Sequence, residues 1–167
     1  MKFYKIKTVG LIGGLCLISM GAFADLPTCT GFPDLNMTCG PGTLPNLNGV
    51  IITLNGTTVT GASTVFGKLT LNQGAALQGG LTVGGVLEAN DSTIKGPTQI
   101  GSTSITLTNT TTSTLNITSE ITQPVVNLNS GSIVRGDVNF ASNNGIVYER
   151  GGSTVTGKVN GGKVVQA

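Results

Sequence analysis

The stretch TTVTGASTVFGKLTLNQGAALQGGLTVGGVLEA, residues 57–89, decides the fold. Its odd positions include Val59, Val65, Leu69, Leu71, Leu77, Leu81, Val83, Leu87 and Ala89. Its even positions are mostly Thr, Lys, Asn, Gln, Gly and Glu. Alternation with period two marks strands with one dry and one wet side. The phase holds through the whole stretch, which is far too long for a single strand. Short strands joined by tight corners that keep the inward–outward parity produce such a pattern, as the coils of a solenoid do.

A second regularity lies inside the first. Val59, Val65, Leu71, Leu77, Val83 and Ala89 fall at one constant stride, and Gly61, Gly67, Gly79 and Gly85 follow the same stride. Three strides make one coil of about 18 residues with three short faces. The glycines belong at its corners, where a side chain would crowd the backbone. Seven asparagines, Asn55, Asn72, Asn90, Asn109, Asn129, Asn144 and Asn160, recur with nearly the same period as the coil. Asn tolerates the left-handed region and bonds nearby backbone groups, so each is expected at a coil corner.

The expected fold is therefore all-β: a single-stranded parallel β-helix (β-solenoid) of about six coils. Elsewhere the register slips, since Ile94 and Ile100 are even whereas Ile105, Leu107, Leu115 and Ile117 are odd. Such slips predict coils of unequal length, from about 15 to about 20 residues. Pro97 and Pro124 are placed at corners.

Three segments precede or form this domain. Residues 1–24 read as a cleaved signal peptide: Lys2, Lys5 and Lys7 precede an apolar run, Val9–Met20, and Ala22-Phe23-Ala24 fits a cleavage site between Ala24 and Asp25. Residues 25–48 are Pro/Gly-rich and contain Cys29 and Cys39, which are expected to form a disulfide-stapled cap over the first coil. Residues 49–167 are the solenoid. Export to the periplasm, outer surface or medium of a Gram-negative bacterium follows, with no integral membrane span after cleavage.

Charge narrows the partners. Three of the nine Lys and Arg lie in the leader, so six face seven Asp and Glu in residues 25–167, a net charge of −1. No basic run or basic–aromatic patch remains, which speaks against nucleic acid.

Catalysis has little to work with. The chain has no histidine, which removes Ser-His-Asp and Cys-His sites, His metal clusters and the commonest general base. Ile100-Gly101-Ser102-Thr103-Ser104-Ile105 matches the hexapeptide acyltransferase repeat only once. Asp137 and Glu149, near Arg135 and Arg150, are expected to make surface ion pairs rather than a carboxylate site. No catalytic residue, cofactor or metal is assigned. The Thr-x-Thr segments, such as Thr58-x-Thr60, read as plain outward strand formers, not an ice-binding array.

The repeated phrases Thr64-Val65-Phe66-Gly67-Lys68-Leu69, Thr82-Val83-Gly84-Gly85-Val86-Leu87 and Thr154-Val155-Thr156-Gly157-Lys158-Val159 resemble those of bactofilin-type and related polymer-forming parallel β-helices. The resemblance covers Gly49 to Val165 and implies assembly through coil ends. Bactofilins are typically cytoplasmic or membrane-associated, a pattern from which the leader departs. The phrases are also similar to fragments of autotransporter passengers and other adhesin solenoids.

The expected function is a non-enzymatic structural or surface protein. It self-associates through its ends, with Val164 and Val165 in the strand-like C-terminal segment as the contact residues. An alternative is a small adhesin or glycan-binding module, whose partner is a surface glycan or another envelope component. A third reading is a pilin-like fimbrial subunit, which requires two facing sheets and does not explain the Asn period.

Overall fold

A computed structural model describes residues 25–32, 35–120 and 123–167. The leader and Ala24 lie outside the described residues. Among the described residues there is no helix, and none is therefore long and apolar enough to cross a membrane.

The chain winds as a parallel β-solenoid with three faces. The first face stacks Leu81–Val83, Thr98–Ile100, Leu115–Ile117, Val138–Phe140 and Val159–Asn160. The second stacks Asn36–Cys39, Leu87–Asn90, Ser104–Thr108, Val125–Asn129, Gly145–Glu149 and Gly162–Gln166. Two long strands, Leu47–Asn55 and Ser63–Asn72, bend around one corner and serve both faces, which joins them into a 14-stranded sheet. The third face is a 7-stranded sheet of Gly42–Leu44, Thr57–Val59, Ala76–Leu77, Thr93–Ile94, Thr111–Thr112, Ile133–Val134 and Thr154–Val155. Every rung-to-rung pairing is parallel, so the facing antiparallel sheets of a pilin sandwich are not this fold.

The winding has about seven turns rather than six. The additional turn is the first: Asn36–Cys39 pairs parallel with Ile51–Leu54, and Gly42–Leu44 with Thr57–Val59. It lies inside the 25–48 segment assigned to the cap, where Pro and Gly hide short strands from a pattern reading. Coil length also varies more than expected. The step rises from Met37 on Ile52 through Leu69 on Leu87 to Leu115 on Val138, then shortens again at Val147 on Val164. The long coils carry extra residues between the first and second faces, around Pro124 and around Asn143. A coil with an even number of residues preserves parity, and one with an odd number inverts it. Leu81 stacks on Thr98 and Thr98 on Leu115, an odd step each time, which is why the inward positions become even and then odd again.

Inward side chains form continuous columns. Ile52, Leu69, Leu87, Ile105, Val126 and Val147 stack along the second face; Leu54, Leu71, Ala89, Leu107 and Leu128 run beside them. Val65, Val83, Ile100, Ile117 and Phe140 line the first face, and Val59, Leu77, Ile94 and Val134 the third. All these residues are buried. Each buried Leu or Ile contributes about 1.5–3 kcal/mol.

Corners are made in two ways. Between the third and first faces a glycine column admits the carbonyls of the preceding coil: a Cβ on Gly79 would stand 2.3 Å from Gly61 O, and one on Gly96 2.0 Å from Gly79 O. Between the second and third faces the chain turns through left-handed residues. Gly56 (φ 67°), Gln73 (56°), Asp91 (48°), Asn109 (47°), Ser130 (54°) and Gly151 (59°) form one column. Positive φ at a non-glycine residue is uncommon, and a column of them marks a corner that the stack imposes on six successive coils.

The N-terminal segment closes one end. Cys29–Phe32 pairs antiparallel with Asn36–Cys39, and Gly40 and Thr43 donate their N–H groups to Thr28 O and Asp25 O. Residues 25–32 thus lie along the second and third faces of the first coil. Cys29 and Cys39 are directly opposite and form a disulfide, with Cα atoms 4.0 Å apart.

Candidate functional site

The predicted corner asparagines divide into three groups. Asn55, Asn72, Asn90 and Asn129 each end a second-face strand, immediately before the left-handed residue. Asn72 Nδ2 donates to Asn55 Oδ1 at 3.1 Å and Asn90 Nδ2 to Asn72 Oδ1 at 3.0 Å. Asn109 sits one place later, in the left-handed column itself, and donates to Asp91 Oδ1 at 2.6 Å. Asn144 and Asn160 are not at this corner. Asn144 is in the connection from the first face to the second, where a long coil displaces it. Asn160 is on the first face, where Asn139 Nδ2 donates to Asn116 Oδ1 and Asn160 Nδ2 to Asn139 Oδ1, at 2.9 and 2.7 Å. An averaged period merges two separate amide ladders into one.

A column of buried hydroxyls escapes a reading of the sequence. Just inside the left-handed corner stand Thr57, Ser92, Thr110, Ser132 and Ser153, all buried. Ser92 Oγ donates to Asn90 O, Ser132 Oγ to Asn129 O and Ser153 Oγ to Arg150 O, at 2.7–2.8 Å. These hydroxyls satisfy carbonyls that the corner turns away from the sheet ladder, where an unpaired buried acceptor would be costly. Their inward parity is legible, but the need for a donor there comes from the turn.

The charged residues are arranged differently from the expected ion pairs. Glu149 stacks on Leu128 and is 6% exposed, an acid in an otherwise apolar column. Its Oε1 accepts from Val155 N–H at 2.6 Å and its Oε2 from Gln166 Nε2. Asp137 Oδ1 accepts from Lys158 N–H at 2.8 Å. Arg150 turns outward, donates to Asn127 Oδ1 at 3.0 Å and lies 4.6 Å from the Tyr148 ring centroid. The Asp137–Arg135 and Glu149–Arg150 surface pairs are therefore not formed; alternation sends Glu149 inward and its neighbour out. The salt bridge among the described residues is Lys68–Glu88, 2.7 Å, on the second face. No group of three His, Cys, Asp or Glu gathers among the described residues.

At the C-terminal end the two candidate contact residues point in opposite directions. Val164 stacks on Val147 and Val165 on Tyr148. Val164 therefore continues an inward column, yet it is 42% exposed because nothing among the described residues lies beyond it. Val155 and Val159 are likewise only partly buried. The outer edge of Gly162–Gln166 has no partner strand among the described residues.

No family model, curated protein or solved structure matches this chain. The likeness to bactofilin-type solenoids accordingly rests on coil pattern alone.

Proposed function

We propose that the protein is an exported, non-enzymatic structural scaffold that self-associates through the exposed end of its solenoid, in an envelope, matrix or surface assembly. The contrast between its two ends carries this reading. At the N-terminal end an antiparallel segment and a disulfide cover two faces, and that outer strand is only four residues long and follows Pro27 closely. Short strands and prolines are how sheet edges are kept from pairing. At the other end Val164 presents an apolar core column beside a strand edge that is unpaired among the described residues, a template for another copy. The disulfide suits an oxidising compartment, which agrees with reading residues 1–24 as a secretory leader.

Light scattering on residues 25–167 over a wide concentration range tests the reading. The mass should rise above that of one chain, and Val164→Lys should return it to one chain. Val165→Lys, on the outward side, should have the smaller effect. A single chain at every concentration would refute self-association.

A further inference from the structure

The first face holds a second surface, away from either end. In its upper coils the outward residues Asn48, Thr64, Thr82 and Gln99 stack in one column. Beside that column Ala62, Gly80 and Pro97 keep the surface low, and a shallow groove of about 220 Å³ runs between them. Residues 45–50, 61–67, 79–85 and 96–102, which build this face and its corners, include no charged side chain.

One aromatic ring lies on the same face, outside the groove and across the Thr64 column from Ala62. Phe66 lies two residues after Thr64 on the same side of the strand, about 7 Å away, and is 64% exposed. Nothing on the next two coils shields it, because its flank there is glycine backbone. A Cβ on Gly84 would stand 2.6 Å from Phe66 O, and one on Gly101 2.9 Å from Gly84 O. Large side chains are thus excluded from the strip beside the ring.

We infer that this face binds a neutral oligosaccharide, with one pyranose stacked on Phe66 and its neighbours lying along Thr64, Thr82 and Gln99. The chemistry matches at each point. A pyranose has an apolar C–H face for the ring and hydroxyl edges for the polar column. Threonine hydroxyls and the Gln99 amide both donate and accept, as sugar hydroxyls require. Thr64 to Gln99 spans two rungs, on the order of 10 Å, enough for two or three sugar rings. Lys68, two residues beyond Phe66, is paired with Glu88 at 2.7 Å, and the segments named above carry no charge, which disfavours nucleic acid and anionic polysaccharides.

Titration calorimetry with neutral trisaccharides of glucose, N-acetylglucosamine, mannose and galactose tests the site. At least one should bind saturably, with an affinity that changes little with salt. Phe66→Ala and Thr82→Lys should each weaken it about tenfold or more, with melting temperatures unchanged because both residues are exposed. Thr111→Lys, on the third face, should leave binding intact. Repeating the titration on Val164→Lys separates this site from self-association. Absence of binding by every trisaccharide, or binding indifferent to both Phe66→Ala and Thr82→Lys, would overturn the inference.

Discussion

Asn90 donates its side-chain amide to Oδ1 of Asn72, one coil back, at 3.0 Å. Asn72 passes the same bond to Asn55, so its amide donates toward the N-terminal end and accepts from the coil that follows. Identical residues on parallel, in-register strands suit one another because an amide carries both a donor and an acceptor. The ladder ties the corners of three successive coils together.

Removing the central member should break two of these bonds. Asn72→Ala is expected to destabilise the fold by about 1–2 kcal/mol, read from chemical denaturation. Asn144→Ala, in an exposed connection outside both ladders, should remain within about 0.5 kcal/mol of the parent. Equal losses from the two would contradict the ladder's role.

Glycines at the third-to-first corner are there for space. Gly79→Ala drives a Cβ against Gly61 O and should cost about 1–3 kcal/mol. The neighbouring Gly80→Ala finds its nearest heavy atom at 3.8 Å and should be close to neutral. Thermal melts of the pair would show whether carbonyl approach, rather than glycine content, shapes the corner.

The Cys29–Cys39 bond joins positions ten apart in the sequence. Chain-entropy reasoning gives it about 3 kcal/mol. Cys29→Ser, at the exposed partner, should lower stability by about that amount, and reductant should lower the parent but not the variant. A melting curve insensitive to both changes would mean the cap does not secure the first coil.

Glu149 holds two segments together from inside. Glu149→Ala leaves the Val155 N–H without its acceptor and should cost about 1–3 kcal/mol. It also releases Gln166. Hydrogen exchange should accelerate in residues 162–166 more than in Gly145–Glu149, and unchanged protection there would argue against the clamp.

Much of this architecture is legible in residues 57–89, because a β-strand alternates strictly and a corner that preserves parity leaves the alternation unbroken. Leu69, Leu71, Leu87 and Ala89 announce their burial by position alone. The first coil is less legible, since Gly42–Leu44 has too few residues to display a period. Asn160 illustrates the other limit. Spacing puts it near its counterparts, but the two long coils before it carry it to a different face.

Local chain chemistry was enough to determine that the protein is a parallel solenoid with glycine corners and a disulfide near its start. Alternation, turn residues and cysteine count are properties of neighbouring residues, and they act before any coil has met the next. Which asparagines bond one another, where Glu149 points, and which faces stay uncharged were decided only by stacking. Those relations join residues a whole coil apart, and a single insertion or deletion within a coil reverses which side of the wall a side chain occupies.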